Sequence, residues 1–277
     1  MNITKKIGKD VTVKYAKLER PISDSEIELY GAYKISVLLT DGLAGIVGGQ
    51  IFSGERYDLF AFRPDEIHFG RFLRSGTHEY IDFYIAAEYF NQFSEAEALR
   101  FFLDDRTPDR SNLLVPDNES REIIRDLSRR TVSLLEHGGE FCETELLSIT
   151  LQVVLLCSKL YRIPKGQHRQ TAPPIVSRTL AYIDTHFEKK LTVQEIAHIM
   201  GCSETYLSRT FKRYAGVSVY QHITAVRIRY AKKMLSQGAS VTDACFSCGF
   251  NDCSNFIRSF QETVGETPLK YKKHFFE

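Results

Sequence analysis

The sequence predicts a mixed α+β chain with a β-rich part first and an all-helical domain last, and three observations carry that prediction. Short runs of β-branched and aromatic residues, broken by turn signals, occupy Tyr33 to Ile85. Helical periodicity replaces them from about residue 94 onward. Within residues 190 to 273 the chain then repeats itself once. A length of 277 residues is about twice that of a typical domain, and 43% apolar with 26% charged residues is ordinary for a soluble protein.

The strand-like runs follow one another as YKISVLLT, LAGIVGGQIF, YDLFAF, EIHFGRFL and EYIDFYI, with Asp41-Gly42 as a hairpin signal between the first two. Their close spacing predicts an antiparallel barrel or sandwich over about residues 10–88. Helices are expected at 94–103, weakly, and at 119–136, where Ile123, Ile124, Leu127, Val132, Leu134 and Leu135 stand among charges. In residues 141–161 leucine and valine are almost continuous, so that helix is apolar around most of its circumference. It is either the spine of the domain or half of a dimer interface. The stretch RIPKGQHRQTAPP, residues 162–174, is too polar to bury a core of its own and reads as a linker. The expected organisation is therefore 1–161, linker 162–174, and 175–277.

Thirty-six Lys and Arg stand against 35 Asp and Glu, yet the two parts differ. Residues 1–174 carry a net charge of −4 and residues 175–277 one of +5, so a polyanion is expected at the back half. No run approaches the roughly 18 apolar residues of a membrane span, and the start has no apolar core for export. A cytoplasmic location without a membrane partner is expected, and with it free thiols at all six cysteines. Cys245-x-x-Cys248 with Cys253 nearby has the spacing of soft metal ligands. No second pair completes a site, and position 245 wants a small buried residue, so no metal is expected there. There is no Ser-His-Asp order, phosphate loop or nucleophile elbow, and neither enzyme activity nor a cofactor is expected.

In the repeat, Thr192, Ala197 and Gly201 match Ser240, Cys245 and Gly249, and Ser203, Leu207, Arg209, Phe211 and Gly216 match Asp252, Phe256, Arg258, Phe260 and Gly265. Each copy reads as a helix-turn-helix. Thr192 and Ser240 cap a first helix, a small residue allows close approach, glycine makes the turn, and Ser203 or Asp252 caps the second helix. Glu195 adds a capping box in the first copy. Leu207, Phe211 and Tyr214 form an apolar stripe on that second helix, leaving Thr205, Ser208, Arg209 and Lys212 on another face. In the second copy Phe256, Phe260 and Val264 point inward, and Ser254, Ile257, Arg258 and Gln261 face out. Such a helix fits the DNA major groove, where an arginine can donate twice to guanine, and Arg209 and Arg258 are the expected base readers. A single helix over 217–234 joins the copies. Phosphate contacts are expected from Lys212, Arg213, Arg227, Lys232, Lys233, Lys270 and Lys272, and also from Arg229 and Lys273.

The stretch VTDACFSCGFNDCSNFIRSFQETVGETPLKYKK resembles the signature of AraC/XylS-type transcription regulators, carried here by Gly249, Phe250, Phe256, Arg258, Phe260, Gly265, Thr267, Pro268 and Tyr271. The resemblance implies two units reading adjacent major grooves of double-stranded DNA and, usually, activation through contact with RNA polymerase. It places base-reading positions on Thr205, Ser208 and Arg209 and on Cys253, Ser254 and Arg258. In the front half, Pro64-Asp65-Glu66-Ile67-His68 resembles the second motif of a cupin-like sensor barrel, which in this family precedes a helical pair used for dimerisation. The first cupin motif, with its His-x-His pair, has no match, so the barrel is expected to hold a small organic effector rather than a metal. His68, Glu66, Arg71 and Tyr84 are the candidate effector contacts, and a homodimer is the expected assembly. Two alternatives stay open: a metal-dependent cupin enzyme fused to a DNA-targeting module, and a regulator whose front domain only dimerises.

Overall fold

The computed structural model describes residues 1–19, 31–47, 50–64, 66–72, 76–104, 112–162 and 173–276, and of 44–47, 50–51, 69–72 and 276 the backbone alone. Most of the expected linker falls outside the described residues. Nine strands form two antiparallel sheets among the described residues. They are β1 (Asn2–Ile7), β2 (Val11–Leu18), β3 (Tyr33–Leu38), β4 (Leu43–Val47), β5 (Gln50–Gly54), β6 (Leu59–Phe62), β7 (His68–Phe72), β8 (His78–Ile85) and β9 (Leu113–Leu114). The larger sheet runs β1-β2-β8-β3-β6-β9 and the smaller β5-β4-β7.

Two corrections to the sequence reading follow from this topology. Asp41-Gly42 is not the turn of a hairpin, because β3 pairs with β6 and β8 while β4 pairs with β5 and β7. It is a corner at which the chain changes sheets. Gly42, at φ 88°, donates to the Gly54 carbonyl, and the Asp41 carboxylate accepts from Arg56 N at 2.8 Å. The sheet also begins before residue 10, and two strands precede Tyr33: β1 and β2 form a hairpin turned at Gly8, φ 56°. Their alternation, ITKKI and VTVKYAKL around Gly-Lys-Asp, carries that signal.

Every residue of β3 is buried, because the larger sheet is covered on both faces. Tyr33, Ile35 and Val37 join Val13, Ile81, Phe83 and Ile85 in a core shared with four helices, α1 (Ala87–Phe90), α2 (Ala96–Asp104), α3 (Asn118–His137) and α4 (Cys142–Arg162). Leu38, Phe60 and Phe62, on the opposite face, pack with Phe52 of the smaller sheet. Asp117 caps α3 by accepting from Ser120 N at 2.8 Å. In α4, Leu146, Ile149, Val153, Val154, Cys157 and Leu160 are buried, which makes it the spine of this core. By length and composition alone α4 could cross a membrane, but here half of it is covered by its own domain. Leu155 is exposed and Leu147 and Leu151 are half-buried, leaving an outward leucine stripe.

The remaining helices are α5 (Pro174–His186), α6 (Val193–Met200), α7 (Glu204–Ala215), α8 (Val219–Ser236), α9 (Val241–Ser247), α10 (Cys253–Val264) and α11 (Pro268–Phe276). They enclose a separate core built on Leu180, Ile196, Leu207, Phe211, Ile228, Phe256 and Phe260. Among the described residues, Ile67 of the β-rich half belongs to that core as well.

Candidate nucleic-acid interface

The first helix-turn-helix is α6 and α7. Thr192 and Glu195 close a capping box: Glu195 N donates to Thr192 Oγ1 at 3.1 Å, and Thr192 N donates to Glu195 Oε2 at 2.9 Å. The Thr192 hydroxyl, which donates to Glu195 Oε2 at 2.8 Å, and then the Thr192 N–H hold the Glu195 carboxyl below its usual range. Gly201 ends α6 at φ 73°, a left-handed conformation that glycine adopts without strain. Ser203 then caps α7 by accepting from Tyr206 N at 3.2 Å. Leu207, Phe211 and Ala215 of α7 are buried. Thr205, Arg209, Lys212 and Arg213 are exposed, Ser208 is half-buried, and Tyr206 joins the outer face.

The second unit, α9 and α10, repeats the plan with different side chains. Ser240 accepts from Asp243 N at 3.0 Å, and Asp252 accepts from both Ser254 N and Asn255 N at the start of α10. Phe256 and Phe260 are fully buried; Ser254, Ile257, Arg258, Gln261 and Glu262 line a shallow open concavity on the outer face. The Arg258 guanidinium donates to Asn255 Oδ1 at 3.2 Å while remaining exposed. Cys253 departs from its expected place on the reading face: it is half-buried and packs on the helical core. Burial, and then the contact with Cys253, push the Cys245 thiol up to about 12. Burial likewise pushes Cys248 up to about 11, so neither is a thiolate at neutral pH. Among the described residues no group of three or more His, Cys, Asp or Glu side chains gathers as a metal site.

Several of the basic residues expected at phosphates are instead joints between helices. The clearest correction is Lys232, which is 2% exposed, with Nζ 5.5 Å from the centre of the Tyr271 ring. It sits on the inner side of α8, where the helix meets α11. Arg227 is half-buried, donating from Nε to the Phe187 carbonyl and from NH2 to the Lys189 carbonyl, both at 2.9 Å, and burial lowers the pKa of its guanidinium. Lys272 Nζ donates to the Gly238 carbonyl at 2.9 Å. Arg229 pairs with Asp184 at 3.0 Å, and Tyr230 stacks on Phe187 at 3.9 Å. These contacts bolt α8 to the segment after α5, and so fix one unit relative to the other. Lys212, Arg213, Lys233, Lys270 and Lys273 remain exposed.

In the β-rich half, a buried polar cluster lies between the sheets. Asp82, 1% exposed, accepts from Ser36 Oγ at 2.5 Å and from the Tyr84 hydroxyl at 3.1 Å, and pairs with Lys34 Nζ at 3.3 Å. Lys34 Nζ lies 5.6 Å from the Phe62 ring centre and 5.5 Å from that of Tyr84. His68 stacks on Phe62 at 3.9 Å, with Nε2 3.4 Å from Lys34 Nζ and Nδ1 2.9 Å from the Glu66 carbonyl. His68 and Tyr84 thus both lie beside Lys34 in this cluster. The Glu66 carboxylate accepts from Arg63 N and Asn112 Nδ2, bracing the turn before β7. The Arg71 side chain and Asp65 lie outside the described residues.

A family model described as a helix-turn-helix domain matches residues 196–274, which begin in α6 and end in α11. The melibiose operon regulatory protein of Escherichia coli is 29% identical over 157 residues, covering 56% of this chain and 49% of its own length. Residues 196–274 are a helix-turn-helix domain. An HTH-type transcriptional regulator of Staphylococcus aureus is 24% identical over 250 residues, covering 83% of this chain and 32% of that protein. The chain therefore spans about a third of the length of the curated relatives it matches first. Among solved structures, ToxT of Vibrio cholerae with bound unsaturated fatty acid covers 97% of this chain and 96% of its own, at 14% identity and a TM-score of 0.42.

Within the helix-turn-helix domain, Gln261 and Glu262 share the outer face of α10 with Ser254 and Arg258 and were not among the expected base readers. The outward placement of Gln261 was legible from helical spacing. For Glu262 only its position beside Gln261 gave a signal.

Proposed function

We propose that the chain is a sequence-specific DNA-binding transcription regulator of the AraC type, an activator, acting in the cytoplasm as a homodimer. The observation that carries this reading is the paired construction of α7 and α10, each capped, backed by buried side chains (Leu207 and Phe211; Phe256 and Phe260) and presenting one exposed arginine at the matching place, Arg209 and Arg258. Thr205 and Ser208 accompany Arg209 at the bases, and Ser254, Ile257 and Gln261 accompany Arg258. Lys212, Arg213, Lys233 and Lys270 contact phosphates, which hold register without reading sequence. The leucine stripe of α4 is the dimer face, and RNA polymerase is the partner in activation. A small-molecule effector is sensed in the barrel at His68 and Tyr84, with Lys34, Ser36 and Asp82 as the polar groups that would meet it.

The test is selection of a tight-binding duplex from a random-sequence DNA library, followed by titration of that duplex and of random DNA. Specific binding about a thousandfold or more tighter than non-specific binding supports the reading. Equal affinity for both overturns it.

A further inference from the structure

Ile67 and His68 are neighbours in the chain that face different domains. Ile67 is 5% exposed and packs in the helical core with the residues of α5 to α10, although it precedes β7 of the smaller sheet. His68 turns the other way, as consecutive side chains of an extended chain do, onto Phe62 and toward Lys34 of the Asp82 cluster. Beside them, β4 and β7 run within 8 Å of α7, Cα to Cα, whereas α10 packs on α8, α9 and α11.

We propose that Ile67 and His68 form a two-residue coupler through which the polar cluster around Asp82 sets how the smaller sheet docks on α7, holding back the first reading helix and leaving the second free. This rests on the reading of α7 as a DNA-reading helix. A helix with its side chains is about 10–12 Å across and fills a major groove about 12 Å wide. The inner side of α7 is already taken by α5, α6 and α8. The strands therefore lie along a remaining side, where a wall of the groove has to stand. Thr205 and Arg209 stay exposed in the docked arrangement, so docking withholds the space beside the helix rather than the reading side chains. A molecule that enters the cluster and displaces His68 shifts Ile67 with it, because the two share one peptide bond. Its influence on DNA affinity equals its preference for the undocked arrangement.

The experiment compares the full chain with Ile67→Ala and with His68→Phe, which keeps the stack on Phe62 and removes the nitrogen facing Lys34. Each is titrated with the duplex selected by the wild type, and the half-sites are mapped by hydroxyl-radical footprinting. Both variants are also made with Arg209→Ala and with Arg258→Ala. Ile67→Ala is expected to tighten binding about tenfold, a typical coupling between sites, with the new protection confined to the half-site read by α7. His68→Phe acts in the same direction by less. The gain disappears with Arg209→Ala and persists with Arg258→Ala. Unchanged or weakened binding by both variants, with the melting of the helical domain intact, overturns the coupler, and so does a gain spread equally over both half-sites. If Ile67→Ala does not fold, His68→Phe decides alone. A wild type that prefers no duplex overturns the DNA-reading proposal itself, which separates the two failures.

Discussion

The two helix-turn-helix units share a plan and differ in what surrounds it. Gly201 and Gly249 occupy the same turn at φ 73° and 83°. A Cβ on Gly201 would meet nothing within 4 Å, whereas one on Gly249 would stand 2.7 Å from the Phe187 carbonyl oxygen and 2.9 Å from that of Glu188. The first turn is open to solvent; the second is pressed against the segment that follows α5, where Arg227 also binds. The second helices of the two units differ as well. Lys212 and Arg213 stand in the last turn of α7, and α10 has no basic residue there and carries Glu262 instead. The outer face of α7 is therefore basic and that of α10 nearly neutral, so under the proposed function equivalent residues need not have equivalent effects.

The turn glycines test this difference most strongly. Gly249→Ala is expected to cost about 3 kcal/mol, from left-handed strain and backbone collision together. Gly201→Ala should cost about 1 kcal/mol, from strain alone. Urea unfolding measures both, and equal losses would break the comparison.

Acid should also separate the units. His222 of α8 lies edge-on to Phe211 of the first unit at 5.9 Å, and burial drives its pKa from 6.5 down to about 3. Between those values the unfolded chain binds the proton and the folded one does not, so the stabilisation is whole above pH 6.5 and falls as the pH drops. The loss is about 1.4 kcal/mol per pH unit, or about 2 kcal/mol at pH 5. Phe260 of the second unit has Phe256 and Tyr271 as its ring neighbours, and neither gains a charge in acid. Melting followed by circular dichroism at pH 7 and pH 5 should show this loss in the wild type and much less of it in His222→Leu.

Base reading gives a smaller contrast. Arg209→Ala is expected to reduce preference for the selected duplex by about 2 kcal/mol, and Arg258→Ala by about 1 kcal/mol, because Arg258 must release Asn255 before it pairs with a base. Competition binding against random DNA reads both, and an equal loss on specific and random DNA would remove the arginines from the base-reading role. The smallest effect belongs to a pair of neighbours on the linking helix. Lys233→Ala should lower the slope of log affinity against log salt by about 1. Lys232→Ala should leave that slope unchanged and reduce stability, since Lys232 is buried near Tyr271.

Helix boundaries, caps and the repeat were legible in the sequence because they depend on local spacing. Thr192 with Glu195, Ser203, Ser240 and Asp252 cap the helices they were expected to cap. The joining helix, read at 217–234, is Val219–Ser236. The candidate sites were less legible. Alternating Lys34 and Ser36 in YKISVLL look like the wet face of a strand, and only the second sheet turns that face into an interior. Lys232 and Lys233 are adjacent letters with opposite fates, since a rotation of about 100° per residue carries one into the core and leaves its neighbour in water.

By itself the sequence determined the class of most elements, the duplication of the helical unit and the outward arginines, all of which follow from periods of two or 3.6 residues and from short-range hydrogen bonds; β1 and β9 were not among them. Only the tertiary structure decided that Asp41-Gly42 turns a corner between sheets, that Arg227 and Lys232 serve as joints, and that Ile67 leaves its own half of the chain to pack in the other. The physical reason is that burial and partnership depend on surfaces brought together from distant parts of the chain, and no local pattern records which surface will cover which.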